Sequence, residues 1–150
     1  MKLKKNRFSV VTLFVDTSVL LAASGSLSGA SSFLCQESKN QGWLLVSSPW
    51  CIQETLKNLP KLGHSANSRW AEKIEPNLKL VPNALTLDKL LVFPKTKDRP
   101  VLLSALGAKA EVLLTLDRED FQDSIGNSIY GMDICTPGQF LMKQRQIGLI

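Results

Sequence analysis

Histidine is almost missing from this chain: His64 is the only one in 150 residues. It sits in Leu62-Gly63-His64-Ser65-Ala66-Asn67, a polar stretch with no credible partner set. A histidine-based triad and an HExxH zinc site are therefore excluded. Cysteine is scarce and odd in number, and none of Cys35, Cys51 and Cys135 has CxxC or Cys/His zinc spacing. The three read as small buried hydrophobes in a reducing cytosol. No stretch reaches the roughly 18 apolar residues that a spanning helix needs. The opening has the outline of a secretory signal, but Asp16 interrupts its apolar run between Val15 and Val19, and a carboxylate there opposes insertion. The expectation is a cytoplasmic protein with no membrane span. The phosphate-binding GxxxxGK[ST] loop, GxGxxG after a strand and the GxSxG elbow are all absent, and the phosphoaspartyl DxDxT pattern fails because Thr17-Ser18-Val19 follows Asp16.

What is present is enough for one domain. A chain of this length buries about two-thirds of the surface it exposes when unfolded. Its 44% hydrophobic and 21% charged residues are those of a globular protein. The net charge is +5, and it is unevenly placed. Residues 1–7 hold four bases and no acid, 57–99 nine bases against four acids, and 111–133 six acids against one base. The expected organisation is a basic extension over 1–7 followed by a single domain over 8–150. It would present an acidic site beside a basic segment.

Apolar runs at Val10–Val15, Trp43–Val46, Leu78–Val81 and Glu111–Leu116, with Met132–Cys135 as a fifth, predict buried strands. Helices are predicted over Val19–Ala23 and Ser31–Gln41, the latter stopped by Gly42. Ser48-Pro49 opens a helix to Leu59 with Ile52, Leu56 and Leu59 as its apolar stripe, and Thr136-Pro137 opens another to Gln146. Further helices are expected at Ser68–Glu75, at Leu85–Leu91 and after Asp98-Arg99-Pro100. Alternating strands and helices mean an α/β fold: a central, mostly parallel sheet of 4–5 strands in three layers, with helices on both faces.

In such a sheet, ligands bind at the carboxyl ends of strands. Asp16 follows the first strand, and Asp117 follows the fourth by way of Thr115-Leu116. Asp98 opens the helix leading into that fourth strand. Glu54 lies one turn into the helix after the second strand, off its apolar stripe. Alone, each acid could be an N-cap, a turn residue or part of a solvated face. Four acids that can converge on one sheet end instead suit a hard divalent cation, Mg²⁺ or Mn²⁺, which relieves their mutual repulsion.

These residues carry a family likeness. FVDTSVLLAA at 14–23, SPWCIQETLKNL at 48–59, KDRPVLLSALGAKAEVLLTLDREDF at 97–121 and CTPGQFL at 135–141 resemble the PIN-domain nucleases. Bacterial members of that family are best known as the ribonuclease toxins of toxin–antitoxin pairs. The resemblance implies a three-layer α/β fold, Mg²⁺ or Mn²⁺ held by acids, and cleavage of RNA phosphodiester bonds. The family's four acids match Asp16, Glu54, Asp98 and Asp117. Thr115 matches its hydroxyl residue before the fourth acid, and Asp120 an acid that often precedes Phe. Ser18 sits where the family has Ser or Asn, placed to orient Asp16. Residues 60–97 align with no family motif.

Lys95, Lys97, Arg99 and Arg118 flank two of the acids and are candidates to hold an RNA backbone. Among the tryptophans, Trp43 and Trp50 read as core. Trp70, in the basic stretch Arg69–Lys73, is the one that could stack on a base, although packing on the sheet is the expected reading even there. The leading functional expectation is a metal-dependent ribonuclease, the toxin of a pair with a small antitoxin protein. Competing with it are an RNA-processing nuclease without an antitoxin and a non-cleaving RNA-binding or assembly module. The resemblance also implies a possible homodimer.

Overall fold

The computed structural model describes residues 10–84, 99–117, 121 and 127–150. The basic extension, Leu85–Leu91, Lys95, Lys97, Asp98, Arg118 and Asp120 lie outside these residues.

Strand β1 (Val11–Val15) leads into helices α1 (Thr17–Gly25) and α2 (Ala30–Gln41). Gly42, in the left-handed conformation at φ 73°, caps α2 and turns the chain into β2 (Trp43–Ser47). Helix α3 (Pro49–Asn58) follows, capped by Ser48 and opened by Pro49. A 3₁₀ turn, Leu59–Leu62, then leads to α4 (His64–Arg69), and β3 (Leu78–Leu80) comes next. The helix expected at Ser68–Glu75 is instead the end of α4, a π-helical turn at Trp70–Ile74 and a 3₁₀ turn at Glu75–Asn77. Helix α5 (Arg99–Gly107), β4 (Val112–Leu114), β5 (Ser128–Ile129), β6 (Met132–Cys135) and α6 (Pro137–Gln146) complete the described chain. Thr136 and Gln139 form a reciprocal capping box at the start of α6.

The sheet has six strands in the order β3-β2-β1-β4-β6-β5. All neighbours are parallel except β5, which pairs antiparallel with β6. The α/β reading therefore holds, with one more strand than expected. The addition is a two-residue hairpin arm too short to leave a hydrophobic signal.

Alternate strand residues divide the core into two halves. Leu13, Val15, Leu45 and Leu114 face one side, where they meet Leu20, Leu34, Trp70 and Phe140. Phe14, Val46 and Leu113 face the other, where they meet Cys51, Leu102, Ala105 and Phe121. Each parallel strand is thus apolar on both faces because both are covered. Among the described residues, no single helix is long and apolar enough to cross a membrane.

Two expectations about α3 and the tryptophans change. Cys51 and Thr55 are the buried residues of α3, whereas Leu56 is 48% exposed. Trp43 and Trp70, 6% and 3% exposed, are core as expected, but Trp50 is 45% exposed. A helix carries its charges on one side and its anchor on the other, so the basic neighbours of Trp70 leave its burial untouched. Trp70→Ala should cost about 3–5 kcal/mol in urea unfolding. Trp50→Ala should cost no more than about 0.5 kcal/mol, as for an ordinary surface change. Equal losses would contradict this assignment of inside and outside.

Candidate active site

The strand order reverses at β1. From β1 the chain moves outward to β2 and β3, then returns to the other side of β1 as β4. The carboxyl ends of β1 and β4 therefore flank the topological switch point, where open α/β sheets form a crevice. Val15 pairs with Leu114 across these strands, so the next residues, Asp16 and Thr115, stand abreast.

Asp16 is the N-cap of α1 and only 7% exposed. Its Oδ1 accepts from the Thr17 backbone N–H at 2.8 Å. Its Oδ2 accepts from Thr115 Oγ1 at 2.8 Å and from Ser18 Oγ at 3.1 Å. Both hydroxyls are themselves oriented: the Leu116 N–H donates to Ser18 Oγ and the Asp117 N–H to Thr115 Oγ1, each at 3.0 Å. A hydroxyl that accepts an amide proton keeps its own proton to give. The turn after β4 thus aims two donors at one oxygen of Asp16. Three donors occupy three of its roughly four lone-pair positions, and the remaining one is on Oδ1.

Glu54 reaches the same place from α3. Thr17 Oγ1 lies 3.3 Å from Glu54 Oε2 and 3.4 Å from the Cys51 carbonyl, so the first turn of α1 is joined to α3 through one buried hydroxyl. Asp117 is exposed at the end of β4. Asp16, Glu54 and Asp117 line one cleft of about 170 Å³, together with Thr17, Ser18, Leu21 and Val101. Three neighbouring strands each bring a carboxylate to its mouth: β1 directly, β4 after a two-residue turn, and β2 through α3.

Burial pushes the Asp16 carboxyl up from 3.8 to about 6, and the Asp117 charge adds a little. The bonds from Thr115, Thr17 and Ser18 oppose this without cancelling it. Among the described residues that line the cleft, a carboxylate that is costly to ionise thus stands beside two more acids. Such a set favours a cation. The donors are all oxygen, which suits Mg²⁺ or Mn²⁺ rather than zinc. Among the described residues, no three His, Cys, Asp or Glu side chains are disposed to hold an ion directly. Mg²⁺ makes no such demand, since it keeps several waters and takes one or two carboxylates.

Of the residues singled out in the sequence, Asp16, Ser18, Glu54, Thr115 and Asp117 come together here. Arg99 is half-buried at the start of α5, whose Val101 walls the cleft. Asp98, Asp120, Lys95, Lys97 and Arg118 lie outside the described residues. Thr17 was missed. The available signal was its position: the residue after an N-cap acid faces the next element when the helix packs inward. Comparison of the chain with protein-family models, characterised proteins and solved structures finds no match.

The raised Asp16 value has a consequence for stability. Between about pH 3.8 and 6 the folded chain keeps a proton that the unfolded chain releases. The contribution of this group to stability therefore falls as pH rises through that window, by about 3 kcal/mol in full. Asp16→Asn keeps an N-cap and removes the titrating group, but sets an amide NH2 against donors that now meet carboxylate oxygen. Relative to the metal-free parent its stability should therefore rise by about 1–3 kcal/mol between pH 4 and pH 7.5, read by urea unfolding of both proteins. A stability difference that stays constant across that range would contradict the raised Asp16 carboxyl.

Proposed function

We propose that this protein is a metal-dependent ribonuclease that hydrolyses RNA phosphodiester bonds. The carrying observation is the convergence of Asp16, Glu54 and Asp117 on one cleft at the switch point of a parallel sheet. Asp16 and Asp117, joined by the Thr115 hydroxyl and the turn amide, would hold Mg²⁺ or Mn²⁺ on one side of the cleft, with Glu54 on the other. The bound cation would offset the charge of the acids and stabilise negative charge on the phosphate oxygens. Asp98 is proposed as the fourth acid, because it directly precedes α5, whose Val101 lines the cleft.

The chain's own part is positional. Ser18 and Thr115 fix Asp16, so little reorganisation remains when substrate arrives. Thr17 holds Glu54 through its Oε2, and Oε1 would be the oxygen offered to a cation or its waters. Leu21 and Val101 give the cleft an apolar wall that strengthens charge interactions inside it. In the reaction, a water oxygen bonds to phosphorus, the bond to the leaving oxygen breaks, and the proton the water loses is replaced by one taken up on the leaving oxygen. Lys95, Lys97, Arg99 and Arg118 are proposed to hold the flanking backbone, and Asp120 to support the site from outside it.

The likeness to PIN-domain nucleases supports the same reading, and it alone carries the toxin role, the small antitoxin, the homodimer and the cytoplasmic setting. Three cysteines without disulfides fit a reducing compartment.

Purified protein with Mn²⁺ should cut RNA, and EDTA should stop it. Asp16→Asn and Asp117→Asn should each lower the rate by at least about 100-fold, the scale on which removing one electrostatic group from a reacting site is felt. Full activity in both variants would overturn the assignment.

A further inference from the structure

Trp50 is 45% exposed at the start of α3, although tryptophan usually buries most of its large surface. Its position is nevertheless fixed. The Trp50 backbone N–H donates to Asn83 Oδ1 at 3.1 Å, and the Ser48 hydroxyl caps the same turn. The ring is therefore carried on a braced helix start rather than on a loose loop.

Its neighbours on the helix give it a use. Residues four apart share a helix face, and Glu54, four residues on, lines the acidic cleft. At 100° per residue, Trp50 falls about 40° from Glu54 around α3, and Lys57 about 60° from it on the same side. Lys57 and Gln53 are both exposed. One side of α3 thus presents an acid in the cleft, an aromatic plane one turn away and a cation one turn in the other direction. Cys51 and Thr55 on the inner side hold the helix to the sheet.

We propose that Trp50 is a base-stacking subsite for an unpaired nucleotide, with Lys57 a phosphate contact beside it. This rests on the ribonuclease reading and adds to it the residue that receives a base. A base within a duplex is stacked on both faces and has no free plane for Trp50. A single strand offers one, and stacking on a protein aromatic is tolerant of base identity. The prediction is selection by strandedness, with weak selection by sequence.

The test separates binding from cleavage. Trp43 and Trp70 are buried, so quenching of tryptophan emission by added RNA reports on Trp50. In EDTA, a single-stranded oligoribonucleotide should quench emission from the parent protein, and Trp50→Phe should remove that quenching. Trp50→Ala should weaken single-strand binding about 5- to 100-fold, and Trp50→Phe should recover part of it. The Trp50→Ala penalty should shrink on a duplex of the same sequence and on a strand with abasic positions. Lys57→Gln should lower the salt dependence of binding.

Emission indifferent to RNA, or equal losses on single strand, duplex and abasic strand, would overturn the subsite. A face built for another polypeptide would give the first of these results. Because quenching is read without metal or turnover, failure of cleavage alone bears on the ribonuclease reading, and failure of quenching alone on the subsite.

Discussion

The site depends on one carboxylate buried where the sheet reverses direction. Asp16 ends β1, caps α1 and takes three hydrogen bonds, two of them from hydroxyls governed by the turn after β4. Without those donors its burial would leave an ionised group with nothing to replace water, a cost the fold could not easily carry. With them, Asp16 is held in one geometry at the price of a carboxyl that ionises reluctantly. The same bonds tie β1 and β4 together beyond the end of their ladder, so the crevice of the fold and the position of its first acid have a common origin.

From that point the acidic cleft is assembled by short links. The Thr17 hydroxyl carries the position of α1 across to Glu54 on α3. The Thr115 hydroxyl carries the position of Asp16 to the amide of Asp117. Each link is one buried hydroxyl between two groups, and none is replaceable by an apolar residue of similar shape without stranding a partner. A framework of this kind holds like charges close together, which is an arrangement suited to a cation.

Much of this was legible in the sequence. The buried strands announce themselves because both faces of the sheet are covered, leaving unbroken apolar runs such as Leu13–Val15 and Val112–Leu114. Ser48-Pro49 and Thr136-Pro137 mark helix starts by local chemistry alone, and both caps are present. The strand-end rule placed Asp16, Glu54 and Asp117 together before any contact was known. What escaped was the side each residue faces. Trp50 lies outside where core was expected, and Leu56 lies outside while Thr55 lies inside. In a helix whose buried residues are small or hydroxylated, hydrophobicity no longer tells which face is covered. Thr17 escaped for a related reason: its role is a hydrogen bond between elements 37 residues apart, which no local pattern encodes.

The proposed divalent-cation site stands on Asp16. Calorimetric titration with Mn²⁺ of the parent protein and of Asp16→Asn, both shown to be folded by cooperative unfolding, decides whether it exists. Saturable Mn²⁺ binding to the parent and its loss in the variant are expected. Equal Mn²⁺ binding by the two proteins would rule the site out.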